Sequence, residues 1–206
     1  MAIGMAATVQ EGAWEVAAEE RLRADLYRMF AHFLRKPPDD GDLRMAAGLG
    51  GGDTVLGEKL AAFAHLAETV TAADAAREYH ELFIGMGRGE LLPYASYYLT
   101  GFLHEKPLAK LRTDMGELGI ARRSDVKEPE DHIAALSEMM AGLIDGAFAE
   151  PAGLDVQKRF FARHLEPWAA HFFKDLEAAK SSVLYAPLGG AGAAFMAIEQ
   201  AAFEMV

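Results

Sequence analysis

Apolar residues in this chain recur at intervals of three and four, and period-two alternation does not persist. The first such run spans about 14–34, with Leu22, Leu26, Met29, Phe30 and Phe33 on one side. The breaker KPPDDGD at 36–42 ends it, a short helix follows, and GLGGGDT forms a flexible connection with a cap expected at Asp53. Leu56, Leu60, Phe63 and Leu66 mark the next helix, and another carries Tyr79, Leu82 and Phe83 before stopping at GMGRGE, 85–90. After Pro93, SYYLTGFLHE reads as helical with Ser96 near its start. KPLAKLRTDMGELG is a helix with Pro107 in its first turn and an end at Gly119. A helix after Pro129 runs to about 148, and FFARHLEPWAAHFFKDLEAAK gives a long or proline-kinked pair around Pro167. The last helix, in SSVLYAPLGGAGAAFMAIEQAAF, is expected to be interrupted near Pro187 and Gly190. The pattern thus predicts an all-α chain: a single globular bundle of about ten helices over 14–206, with a loose tail at 1–13. A joint is expected within 119–128, where the polar connection IARRSDVK separates two apolar halves. No internal repeat of fixed period is present.

Composition narrows the function. Hydrophobic residues make up 51% of the 206, enough for a sizeable core. A formal charge of −11 opposes nucleic-acid phosphate and anionic lipid as partners, and attracts a cationic peptide. The absence of cysteine excludes disulfides, zinc–thiolate sites, iron–sulfur ligation and thiol catalysis, and suits a cytoplasmic protein. The stretch MAIGMAATVQEGAWEVAAEE lacks the basic and apolar regions of a signal peptide. No run approaches the roughly 18 apolar residues of a membrane span.

One stretch is chemically unusual. In EPEDHIAALSEMM, 128–140, Pro129 suits a first helical turn, and Glu130 and Asp131 there would be favoured by the helix dipole. His132 is not explained that way, because a positive imidazole is disfavoured at a helix N-terminus. At 3.6 residues per turn His132, Leu136, Met139, Met140 and Leu143 share an apolar stripe. Ala134, Ser137 and Ala141 form a small-residue stripe, and Asp131, Glu138 and Asp145 an acidic edge. Asp131 and His132 therefore sit where apolar surface meets acid.

EPEDH and its helix resemble the signature of the TorD/DmsD family, the cytoplasmic chaperones of molybdenum-cofactor oxidoreductases. Three further blocks agree in order and spacing: EYHELFIGMGRGELLPYASYY, KPLAKLRTDMGELGI, and FFARHLEPWAAHFFKDL followed by LYAP. The resemblance covers roughly 15–200. It implies an all-helical TorD-like fold, monomeric or a domain-swapped homodimer. The implied activity is binding the catalytic-subunit precursor of a molybdoenzyme, often by its twin-arginine signal peptide, until cofactor is inserted. The family's peptide-binding positions fall here on Pro93 and Tyr94, and on Glu128, Pro129, Asp131 and His132; some members carry tryptophan where Tyr94 stands. A fork of Glu130 and Asp131 would accept bidentate hydrogen bonds from arginine. Exposed ion pairs contribute only about 0–1 kcal/mol each, so an apolar groove is also needed, with Tyr97, Tyr98 and Phe102, beside Tyr94, expected as its wall.

Other readings have less behind them. GMGRGE looks like a phosphate-cradling loop but lacks the lysine ending and a preceding strand. No cofactor is expected, although weak guanine-nucleotide binding is attributed to some family members, which keeps a nucleotide-binding switch as an alternative. A nitrate-reductase-type assembly chaperone for a client that is not exported is the alternative within the family. His164 and His171 share a face with Trp168 between them, but no third ligand makes a metal site. Arg122 and Arg123 read as a solvated pair. No nucleophile or oxyanion donor accompanies the acid–imidazole group, so no enzyme is expected.

Overall fold

The three- and four-residue spacing becomes a helical bundle in the computed structural model, which describes residues 16–122 and 126–205. The helices are α1 (Ala18–Arg35), α2 (Asp40–Ala47), α3 (Val55–Ala67) and α4 (Ala72–Tyr79), the last continued by a π-helical turn, His80–Ile84. There follow α5 (Ala95–Thr100), α6 (Lys106–Glu117), α7 (Ile133–Asp145), α8 (Leu154–His164), α9 (Ala169–Ala178) and α10 (Tyr185–Glu204). The expected tail, 1–13, lies outside the described residues, as do 123–125 of the expected joint. Among the described residues there is no strand, only an isolated antiparallel bridge between Tyr94 and His132.

Two helices organise the core. α7 packs along α1, and α10 packs along α9 and α3. Residues of α7 are buried almost all round, including Leu136, Met140 and Leu143 and the small residues Ala134, Ser137 and Ala141. Burying each large apolar side chain contributes about 1.5–3 kcal/mol. On α1 the buried face is Ala24, Tyr27, Phe30, Phe33 and Leu34, so Leu22, expected on it, instead stands 66% exposed. Glu199 of α10, 1% exposed, accepts from Nε and Nη2 of Arg23 at 2.8 Å each and from the Tyr27 hydroxyl at 2.9 Å.

α10 is not interrupted. Pro187 is its third residue, in the first turn, where a missing N–H leaves no gap in the helical bonding. The glycines are there for closeness, not for a break. A Cβ on Gly189 would lie 2.5 Å from the Glu177 nitrogen, and one on Gly192 2.2 Å from the Phe173 ring, so α9 can approach only glycine. The start of α10 is capped from elsewhere: the buried Glu78 carboxylate accepts from the backbone N–H groups of Val183, Leu184 and Tyr185 at 2.7, 3.0 and 2.8 Å. A carboxylate at a helix N-terminus meets unpaired donors and the positive end of the dipole.

Other boundaries differ from the pattern. α3 is capped by Thr54, whose hydroxyl accepts from Gly57, and not by Asp53. α5 ends at Thr100 because Gly101 turns left-handed (φ 81°), so Phe102 lies beyond it. Pro167 separates α8 from α9, as the pattern predicts.

Candidate functional site

The two signature blocks meet although more than thirty residues separate them. The Ala95 N–H donates to the Asp131 carbonyl and the Ile133 N–H to the Pro93 carbonyl, each at 2.9 Å. These bonds clasp the entry of α5 to the entry of α7. Proline suits position 93 because only its carbonyl is used.

Asp131 is part of the clasp, not an outward-facing acid. It precedes α7, is 1% exposed, and its Oδ2 accepts from the Ser96 N–H at 2.8 Å, so it caps α5. Its Oδ1 has no hydrogen-bond partner among the described residues. Glu130 is buried too: its Oε2 accepts from Arg112 Nε and Nη2 at 3.2 and 2.9 Å, and Arg122 lies 3.7 Å from Oε1. Burial alone would raise the Glu130 pKa, but the Arg112 hydrogen bonds and both guanidinium charges hold it below the usual range. The expected fork of Glu130 and Asp131 is therefore not open: one carboxylate is engaged by arginines of this chain and the other by a helix end. The acidic edge is likewise divided, since Glu138 pairs with Arg35 and Asp145 with Arg28.

The position of His132 follows from its protonation state. It is the N-cap of α7, and its Nδ1 accepts from the Ala134 N–H at 3.0 Å. A ring nitrogen that accepts carries no proton, so the imidazole is neutral and does not oppose the dipole. Burial, with a contribution from the Arg35 charge, lowers its pKa from 6.5 to about 4. The Tyr94 ring meets it edge-on, centroids 5.1 Å apart at 82°.

The outer layer of the clasp is accessible. Tyr94 is half-buried, and its hydroxyl donates to the exposed Glu128 carboxylate. Burial first, then Glu128, pushes the Tyr94 phenol well above its ordinary pKa. Pro129 lies between these layers, its carbonyl accepting from the His132 N–H at 3.2 Å.

The aromatic residues expected to form one wall point three ways. Tyr98 packs on Trp168 and Phe172, with centroids at 5.3 and 6.0 Å, and its hydroxyl donates to Asp175 at 2.9 Å. Arg88 lies over the Tyr97 ring, 5.0 Å from its centroid, and donates to its hydroxyl. Phe102 is 70% exposed, next to Leu99 and Leu103 at 42% and 40%. Neighbours in a helix diverge by about 100°, which separates Tyr97 from Tyr98.

Beneath the clasp lies a cavity of about 210 Å³ that sequence reasoning did not anticipate. Leu99, Leu111, Leu136 and Pro167 line it, with Asp131. Ala95 and Pro107, at the starts of α5 and α6, line it as well.

The remaining motifs have local duties. In the GMGRGE loop the N–H groups of Gly85, Glu90 and Leu91 are engaged by the carbonyls of His80, Glu81 and Leu82, and the Glu90 carboxylate accepts from the Lys180 and Ser181 N–H groups. His164 Nε2 lies 2.7 Å from Asp114 Oδ2. Among the described residues no three His, Asp or Glu side chains are grouped to hold a metal, and no helix is long and apolar enough to cross a membrane.

Comparison with known proteins places these features. A family model described as nitrate reductase delta subunit matches residues 51–174. A chaperone protein TorD from Photobacterium profundum is 40% identical over 86 residues, 41% of this chain and 38% of that protein. One from Vibrio cholerae is 32% identical over 104 residues, 47% of each. The chain therefore spans less than half the length of these curated relatives. A crystal structure from Archaeoglobus fulgidus, described as a candidate redox enzyme maturation protein, superposes with a TM-score of 0.55 at 20% identity, over 91% of this chain and 99% of that one. That likeness is one of fold. The match over more than half of the sequence shows that this chain belongs to the nitrate reductase delta subunit family, the family of the TorD/DmsD-type chaperones.

Proposed function

We infer that the protein is a dedicated, non-catalytic cytoplasmic chaperone that binds the precursor of a molybdenum-cofactor oxidoreductase through its twin-arginine signal peptide, before export. The observation that carries this reading is the convergence of Tyr94 and Glu128 on the accessible face of the clasp, in a chain whose relatives are named chaperones. On this reading the site has two layers. Glu128 is the carboxylate that meets an incoming guanidinium, with Tyr94 beside it. Pro93, Pro129, Asp131 and His132 hold the two loops in register, and Glu130 stays tied to Arg112. Phe102 with Leu99 offers apolar surface for the segment that follows the arginines. Micromolar binding needs about 8 kcal/mol, more than one exposed carboxylate contributes, so both parts are required. The overall charge of −11 favours the encounter with a cationic peptide.

Calorimetric titration with twin-arginine signal peptides of molybdoenzyme precursors tests this, each beside its twin-lysine version. Saturable binding that weakens with lysine and with Glu128→Gln is expected. Binding that ignores both changes would sink the assignment of Glu128.

A second reading rests on the description of the matching family model, nitrate reductase delta subunit. On it the client is a nitrate-reductase-type enzyme that is not exported, and the mature body is what is bound. Binding to the folded client lacking any signal segment, with none to the isolated peptides, would favour it.

A further inference from the structure

The GMGRGE loop carries a single arginine and delivers it to a ring on another element. The guanidinium carbon of Arg88 lies 5.0 Å from the Tyr97 centroid, and its Nη2 donates to the Tyr97 hydroxyl. Among the described residues that hydroxyl is its only hydrogen-bond partner, and Arg88 forms no ion pair. The acid of the loop, Glu90, is engaged by the Lys180 and Ser181 N–H groups instead. The base of the loop is fixed. Gly85 takes a positive φ of 59°, where a Cβ would overlap the Arg88 carbonyl, and the N–H groups of Gly85, Glu90 and Leu91 bond back to His80, Glu81 and Leu82. Arg88 itself is exposed, so its side chain can leave the ring while the backbone stays held.

Tyr97 stands about one turn of α5 from the N-cap Tyr94, whose hydroxyl meets Glu128. A twin-arginine peptide brings two guanidinium groups. The clasp offers one exposed carboxylate, Glu128, because Glu130 and Asp131 are buried. An aromatic face with a hydroxyl at its edge is another kind of surface that holds a guanidinium, by cation–π attraction and a hydrogen bond. Tyr97 already holds one, from this chain.

We propose that the Tyr97 ring and hydroxyl form a second guanidinium subsite, and that Arg88 is its internal occupant, displaced when the arginine pair of the client docks. The proposal rests on the client-binding reading above and supplies the subsite that reading leaves unassigned. One arginine of the pair meets Glu128, and the other takes the ring that Arg88 vacates. Exchanging one guanidinium for another nearly cancels in energy. In the wild-type protein Tyr97 therefore favours arginine over lysine more than it adds affinity.

The test uses Arg88→Gln and Tyr97→Leu, singly and together, in the full chain. Calorimetric titration with a twin-arginine signal peptide should show Arg88→Gln binding about two- to fivefold more tightly than wild type, the fold-change of one exposed cation–π contact. With Tyr97→Leu present that gain should vanish. A gain that survives there comes from the lost positive charge and overturns the proposal. A second probe needs no client: N-acetyl-diarginine amide beside N-acetyl-dilysine amide, followed at the Tyr97 ring signals by NMR. The arginine probe should shift that ring more in Arg88→Gln than in wild type, and more than the lysine probe does. Equal shifts in the two proteins, equal shifts by the two probes, or no shift would each overturn the proposal. Precursor peptide binding that is indifferent to both substitutions refutes the subsite and leaves the client reading standing. Docking of the arginine probe on Tyr97 with no precursor peptide bound refutes the client reading and leaves the subsite standing.

Discussion

His132 makes the protein sensitive to acid in a way that can be isolated. The imidazole is neutral in the fold, with a pKa lowered from 6.5 to about 4 by burial and by Arg35. The unfolded chain therefore takes up a proton near pH 6.5 and the folded chain only near pH 4. Stability from this group is complete above 6.5 and is lost as the pH falls through that window. The 2.5-unit shift corresponds to about 3 kcal/mol in full, of which about 2.5 kcal/mol is lost by pH 4.5. Below pH 4 both states are protonated and the loss levels off. The charged groups near the ring are Arg35 and, through Tyr94, Glu128. His132→Asn keeps an acceptor at the N-cap and removes the titration. At pH 7.5 the variant should be weaker by about 1–2 kcal/mol, for the lost ring contact with Tyr94. Urea unfolding followed by circular dichroism at pH 7.5, 6.0 and 4.5 reads both terms. The gap between wild type and variant should close or invert toward pH 4.5. If the two lose stability in parallel, the neutral-cap account of His132 is refuted.

Two further changes test the packing. Gly192→Ala places a Cβ about where the Phe173 ring stands, 2.2 Å away, and should cost about 1–3 kcal/mol in thermal unfolding. An unchanged midpoint would show that α9 yields freely. Glu199→Ala leaves Arg23 without its principal partner and should cost about 3–5 kcal/mol, while Arg23→Met with Glu199→Leu should cost distinctly less in the same denaturant series. A double change costing as much as Glu199→Ala and Arg23→Met summed would mean the pair is not coupled.

Helix number and type were legible because burial follows the three- and four-residue spacing, as Phe30, Phe33, Leu136 and Met140 show. Leu22 fails because it lies near the start of α1, 66% exposed, off the face that carries Ala24, Tyr27 and Phe30. The glycines of α10 were misread because one chain cannot distinguish a glycine that loosens a helix from one that admits a neighbour. Gly189 and Gly192 are legible only once Phe173 is placed against them. Asp131 failed for a related reason. Its duty is to the N–H of Ser96, thirty-five residues earlier, so the local pattern gave it to the wrong helix. The conflict of His132 with the dipole disappears once burial removes its charge. The convergence of the Pro93 and His132 blocks came from resemblance, since no spacing rule brings together loops so far apart.

The Glu78 cap has a consequence for how the chain matures on the ribosome. Its three donors lie more than a hundred residues downstream, and Arg23 of the first helix waits for Glu199 of the last. Until α10 emerges, the Glu78 carboxylate lacks its three donors and the Arg23 guanidinium has only Glu20 of its own helix and Gln157, and closing the core over them is unfavourable. Translation must thus pass α10 before the core can seal. A nascent chain stopped before Tyr185 stays open and exposed to proteases, with Glu78 uncapped and Glu199 missing from beside Arg23.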